Sequence, residues 1–298
     1  MNHSKSSTLL PIIAFWALGL IWGSNFIYMK LAAQYISPLQ IVFLRVVLAV
    51  FPVLAYGFIS HSLKKEHLKY WYHFVVMSLL AAVIYYYCFV MGSHLLYSGV
   101  AGAMSGSAPL FTFILGIVFL NEEKVTFQKI AGLLLGLLGI IILAKPFNGE
   151  FTSTTSEGIM YMVVGSLSFG ASFIYAKKFI TPLAIPTVAL VSYQLIFASI
   201  ILLLITPFKG IENIFQSANA TVGLIIGLSF LGTGLAFLIY YFIIDKLGVV
   251  QASSVTYIPP IVALLIGAFI AMEPIPLSDY LGAIVVLVGV YLLKKKNK

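Results

Sequence analysis

The sequence predicts an all-α polytopic membrane protein: ten transmembrane helices built as two inverted five-helix repeats, with both termini on the cytoplasmic side. Three observations predict it. The first is composition. Of 298 residues, 61% are hydrophobic and only 9% charged, with 23 Phe and 17 Tyr, and the mean hydropathy is +1.07. Soluble chains carry about 25% charged residues, so this chain cannot cover itself against water. A soluble enzyme, a nucleic-acid binder and a disordered protein are excluded. The second observation is a series of apolar runs of about 20 residues, the length that crosses roughly 30 Å of hydrocarbon. The third is the placement of the lysines.

The runs fall, in order, near 9–30, 38–59, 73–92, 96–120, 127–144, 158–177, 184–206, 219–242, 250–271 and 278–293. The first, Leu9 to Met29, is too long for a signal-peptide core and ends on no small-residue cleavage site, so it reads as a span. It carries Trp22-Gly-Ser-Asn-Phe26. The second opens on Pro38 and holds Arg45, and the third carries Tyr85, Tyr86, Tyr87 and the single cysteine, Cys88. One cysteine permits no intramolecular disulfide. The fourth contains Ser105, Ser107 and Pro109, and the fifth Gly132 and Gly139. The sixth repeats the opening motif as Phe169-Gly-Ala-Ser-Phe173, the seventh follows Pro186 and carries Tyr193, and the eighth has Gly223 and Gly227. The ninth contains Ser253, Tyr257, Pro259 and Pro260, and the tenth Gly282 and Gly289. The tightest joints are those around His94, Lys246 and Pro274.

With a cytoplasmic N-terminus, the inner segments hold Lys5, Lys64, Lys65, Lys69, Lys124, Lys129, Lys177, Lys178, Lys246, Lys294, Lys295, Lys296 and Lys298. The outer ones hold only Lys30, Lys145 and Lys209. That bias of 13 to 3 sets the orientation. The basic clusters at 61–69 and 294–298 are placed to meet anionic lipid.

The chain also resembles itself. Pro109–Glu123 (PLFTFILGIVFLNEE) and Pro259–Glu273 (PPIVALLIGAFIAME) lie 150 residues apart, an offset that also pairs Gly132 with Gly282 and Gly139 with Gly289. An offset of 147 pairs Trp22–Phe26 with Phe169–Phe173, Tyr28 with Tyr175 and Lys30 with Lys177. The repeats are 9–144 and 158–293, followed by a basic tail at 294–298. Five spans per copy make the copies antiparallel, the inverted-topology pattern of many secondary transporters.

Trp-Gly-Ser-Asn-Phe at 22–26, Pro38 with Arg45, and the stretch from Pro109 to Leu143 with Glu123, Gln128, Gly132 and Gly139 resemble the EamA-type ten-helix exporters of the drug/metabolite transporter (DMT) superfamily. The second copy keeps Glu273, Gly282 and Gly289 but has Ser278 in place of Gln128. The resemblance implies a carrier in the bacterial inner membrane exporting a small organic metabolite, an amino acid or related solute. Multidrug, vitamin and nucleotide-precursor carriers share the fold and stay open as alternatives, as does a channel. A homodimer is left open too.

Several residues are candidates for the site. A proline inside a helix removes one hydrogen bond, so Pro109 and Pro259-Pro260 should interrupt helices four and nine and expose backbone near Ser105, Val255 and Thr256. Interruptions at matching positions point to a transport site, which makes Ser105, Ser107, Ser253 and Tyr257 cavity candidates. Arg45, about 10 Å down its helix at 1.5 Å per residue, needs a partner: a substrate carboxylate, or carbonyls and hydroxyls of neighbouring helices. Its counterpart is Tyr193. Trp22, Asn25 and Tyr28 share a face, matched by Phe169, Ser172 and Tyr175, and with Tyr85 and Tyr86 they make an aromatic-polar wall suited to an amphipathic solute.

Glu123 and Glu273 end their helices on opposite sides of the membrane and are expected to favour the positive dipole end of the following helix rather than to carry protons. His94 stands at the outer end of the third run, in a nearly uncharged joint. Enzymatic chemistry lacks its parts. Ser105-Gly106 has no base within reach, since His3, His61, His67, His73 and His94 all lie in the first third. There is no zinc motif and no phosphate loop, so no metal and no cofactor is expected.

Overall fold

In the computed structural model, residues 9–120, 125–144, 153–247, 252 and 254–294 are described. Ser253, Glu123 and the tail from residue 295 lie outside them. The chain is an all-α bundle whose helices are α1 (Leu9–Ala32), α2 (Pro38–Ile59), α3 (Trp71–Ser78, Leu79–Val83, Ile84–Leu95), α4 (Ser98–Ser105, Ala108–Phe119) and α5 (Phe127–Ala144). A second set follows: α6 (Ser153–Tyr175, Ala176–Ile180), α7 (Thr187–Ile205), α8 (Ala218–Val222, Gly223–Leu235, Ala236–Leu247), α9 (Val255–Tyr257, Ile258–Phe269) and α10 (Leu277–Lys294). Eight are long and apolar enough to cross a membrane, and the segments Val255–Phe269 and Leu277–Leu293 are shorter apolar helices.

Local chemistry sets the ends. Ser37 caps α2 through a reciprocal box with Gln40, and Pro38 occupies the first turn, where its missing N–H costs nothing. The Gln40 amide also donates to the carbonyls of Pro207 (2.6 Å) and Lys209 (3.0 Å), which ties the start of α2 to the end of α7. Large apolar side chains such as Leu10, Phe51, Phe127, Leu134, Leu204 and Phe269 are exposed outward, as lipid contact requires.

The two halves interlock rather than sit side by side. α1 packs on α8 and α9 of the other half, while α6 packs on α3 and α4. A Cβ on Gly23 of α1 would meet Val262 and the Pro259 carbonyl, and one on Gly170 of α6 would meet Thr112 and the Ala108 carbonyl. Gly23 and Gly170 are 147 apart, and Thr112 and Val262 are 150 apart. The same contact is therefore made twice. α5 and α10 cross backbone to backbone, with Gly132 against Gly289 and Gly139 against Gly282. Ascending positions on one helix meet descending positions on the other, so the pair is antiparallel.

Three helices are widened among the described residues, α6 only at its end, over Ala176–Ile180. In α3 the stretch Leu79–Val83, and in α8 the longer stretch Gly223–Leu235, are wound with i→i+5 (π) hydrogen bonds. An offset of 150 carries 79–83 onto 229–233, so both copies widen their third helix at the same place. π segments are rare and gather at functional sites.

Candidate functional site

The widened part of α8 faces the only arginine in the chain. Arg45 is 4% exposed on α2. Its Nε–H donates to Thr233 Oγ1 at 2.8 Å, its Nη1 lies 3.8 Å from Met29 Sδ, and its guanidinium carbon stands 3.8 Å from the centre of the Tyr86 ring. The π winding makes this possible. Thr233 gives its hydroxyl hydrogen to the carbonyl of Leu228, five residues back, and so keeps its lone pairs for Arg45. Ser229 does the same with Leu224. No carboxylate lies within ion-pair distance of Arg45 among the described residues.

One residue away on α8, Gly232 receives Asn25 of α1. The amide nitrogen points at the Gly232 carbonyl at 3.5 Å, a long contact. The amide oxygen is buried with no partner among the described residues. Any side chain at Gly232 would collide with that oxygen. Tyr28, one turn further, lies flat on Gly223 and Gly227, so these glycines make room for a ring. Tyr85 stacks on Phe169 of α6 at 4.4 Å and touches Tyr86 and Phe89. Asn25, Arg45, Tyr85, Tyr86 and Thr233 thus come from α1, α2, α3 and α8 and form one cluster.

The other sequence candidates lie elsewhere. Trp22 meets Tyr240 in a separate apolar cluster. Ser172 donates to the Phe169 carbonyl, behind the ring that stacks on Tyr85. Tyr175 pairs with His73 Nδ1 at 2.7 Å, and Tyr193 donates to the Lys64 carbonyl at 2.9 Å. Both sit at the lysine-rich end, packed around Phe74. Ser105 donates to the Gly102 carbonyl, and Ser107, at the break in α4, is buried with no partner for its hydroxyl among the described residues. Tyr257 reaches the Val290 carbonyl of α10 at 3.3 Å. Pro109 lies in the first turn of the second piece of α4, and Pro259 and Pro260 in the first turn after Tyr257 in α9. Both helices restart at their prolines.

Thr233, Gly232 and Ser229 were not among the residues that the sequence singled out. Their signal was present: four glycines with a serine and a threonine in Gly223–Leu235, more than close packing alone requires.

Glu273 does not serve the helix that follows it. Its carboxylate accepts from Lys30 Nζ (2.8 Å), the Ser98 backbone and hydroxyl (2.8 and 3.0 Å) and the Gly99 backbone (3.2 Å), and so caps α4 across the bundle. Burial alone would raise its pKa. The hydrogen bonds from Lys30, Ser98 and Gly99 outweigh burial and hold it below the usual glutamate value.

The interlocked halves, the doubled contacts and the paired widened helices are features of a transporter. The sequence model of the EamA-like transporter family matches twice, at residues 9–145 and 156–294. The chain belongs to that family. Among its relatives is the uncharacterized transporter YoaV of Bacillus subtilis, 26% identical over 92% of each chain. An uncharacterized transporter of Archaeoglobus fulgidus is 25% identical over 93% of this chain and 95% of its own. The uncharacterized inner membrane transporter YedA of Escherichia coli K12 is 25% identical over 96% and 91%. A protein known by crystal structure shares the fold at a TM-score of 0.60 with 17% identity, over 97% of this chain and 96% of that one. This EamA-like chain is a membrane transporter.

Proposed function

We propose that this membrane transporter is a secondary carrier that exports a small organic metabolite, an amino acid or related solute, across the cytoplasmic membrane of a bacterium by alternating access. One observation carries the reading. A half-used guanidinium and an orphaned amide oxygen stand at adjacent residues of one widened helix. Arg45 has five N–H donors, of which Nε and one on Nη1 are engaged. The rest suit a carboxylate, which guanidinium binds in two-pronged fashion. Asn25 Oδ1 suits an ammonium donor. The rings of Tyr85 and Tyr86 give the apolar wall for a side chain.

The doubled contacts support alternating access, since two similar halves can exchange conformations. The lysine bias and the name of the Escherichia coli relative, an inner membrane transporter, support the membrane assignment. The exposed Lys64, Lys65 and Lys69 then face anionic lipid headgroups.

A carrier of apolar drugs is the second reading. It is favoured by a groove of about 580 Å³ open toward the lipid between α1, α8 and α9, lined by Leu20, Ser24, Tyr28, Leu231, Val262 and Phe269 among others.

Counterflow in proteoliposomes separates the two. Vesicles are loaded with an unlabelled amino acid, its decarboxylated amine, its deaminated acid or an apolar drug, and uptake of the same solute in labelled form is followed with and without a pH gradient. A hydrogen bond to a charged group is worth about 1.5–3 kcal/mol, so removing either group should weaken exchange by roughly 10–100-fold. Exchange with apolar drugs alone, or equal exchange with all three analogues, would overturn the amino-acid reading. The gradient's effect shows whether protons are coupled.

A further inference from the structure

Lys30 and Glu273 lie outside the Arg45 cluster, and their arrangement is more than an ion pair. Lys30 ends α1, Glu273 follows α9, and these two helices pack together. Lys30 Nζ also donates to the Leu96 carbonyl at 3.1 Å and stands 5.2 Å from the centre of the Tyr97 ring. The Glu273 side chain is 6% exposed and takes both amides that open α4. The pair therefore docks as one unit onto the turn between α3 and α4, through four hydrogen bonds and one cation–ring contact.

Its position gives it a role. Lys30 is five residues beyond Asn25 on the same helix, about 7.5 Å nearer the lysine-poor face at 1.5 Å per residue. Along α1 the pair thus stands between Asn25 and that face. The contacts are polar and directed, made to N–H and C=O groups that water can satisfy equally once the turn moves away. Beside the pair, Gly99 and Gly102 of α4 pack closely on Ala263, Leu264 and Gly267 of α9, and opening must part these contacts as well.

We propose that the Lys30–Glu273 pair, docked on Leu96, Ser98 and Gly99, is the gate that shuts the solute site from the lysine-poor face. The proposal rests on the carrier reading, but its test needs no solute. α1 with α9 forms one side of the gate and the α3–α4 turn the other. Opening separates them, leaves the ion pair intact and exposes the start of α4 to water.

The test uses a Cys88→Ala background with single reporters: Val100→Cys, in the first turn of α4 and 5% exposed, and Ile180→Cys, 3% exposed at the lysine-rich end. Each is labelled in oriented proteoliposomes by a membrane-impermeant maleimide added on its own side. Glu273→Gln, and separately Lys30→Gln, should speed labelling at the Val100 reporter at least tenfold and slow it at the Ile180 reporter, because opening one face closes the other. Faster labelling at both reporters would mark a structural staple and overturn the gate. No change at either would overturn it as well, as would failure of both variants to accumulate in the membrane. A gate response together with silent counterflow would leave the gate standing and remove the amino-acid reading.

Discussion

Arg45 brings a permanent charge into a part of the bundle where a charge is costly. Its partners are a hydroxyl, a thioether and a ring face. Those contacts orient the guanidinium without neutralising it, which is what a solute anion needs. Arg45→Gln should lower counterflow by 100-fold or more while the protein still reaches the membrane, because Gln can keep a bond to Thr233 but offers no charge. Arg45→Lys should also fail, since an ammonium lacks the planar fork. An unchanged rate in Arg45→Gln would sink the assignment. Glu273 gives a second test at this scale. Its pKa is depressed, so the stability it contributes is fully present above the ordinary value of 4.5 and is lost only as pH falls through the lower folded value. Glu273→Gln should cost about 3 kcal/mol at pH 7, low in the range for a broken buried pair because the Lys30 side chain is 25% exposed. The gap in Tm between the two proteins in detergent should hold from pH 7 to 5 and narrow below. A gap that widens on acidification would reverse the sign of the shift.

At the scale of elements, the breaks in α4 and α9 and the widened turns in α3 and α8 place irregular backbone in the third and fourth helices of both copies. Irregular backbone at membrane depth survives where protein or a wet cavity receives it. In α8 the freed geometry receives Arg45 and Asn25. Pro109→Ala in α4, and Pro259→Ala together with Pro260→Ala in α9, would let both run on as continuous helices and remove the joint that lets each half bend. Both should reduce counterflow more than membrane abundance, measured in the same preparation, and an equal loss of both quantities would assign the prolines to packing alone. The breaks were legible because proline acts on its own helix. The widened turns were not, because an i→i+5 turn leaves the apolar composition of a run unchanged: in α8 it shows only as an excess of glycine, and in α3 the stretch Leu79–Val83 has no glycine at all. The Glu273 cluster was illegible for a different reason. Its partners lie 175 and 243 residues away in sequence, and nothing local to a carboxylate says which helix start it will cap.

The whole molecule is organised by a two-fold relation between antiparallel copies, and the crossing of α5 with α10 shows it residue by residue. A Cβ on Gly139 would meet the Val286 nitrogen at 2.6 Å and the Gly282 carbonyl at 2.8 Å. A Cβ on Gly289 would meet the Gly136 nitrogen and the Gly132 carbonyl. Each of these partners is the other's counterpart at an offset of 150, so the two glycines occupy one environment seen from opposite sides of the membrane. Small residues that let helix backbones touch are the usual basis of association in lipid, where no hydrophobic force separates helix from solvent. The obstructing atoms here are backbone, which cannot turn aside as a side chain can. Gly139→Ala and Gly289→Ala should therefore each destabilise the protein by about 1–3 kcal/mol, the usual cost of overpacking, and by similar amounts. Thermal unfolding in detergent measures both. A large loss in one variant with none in the other would mean that the crossing is not symmetric, and that the duplication persists in sequence without governing how the halves move.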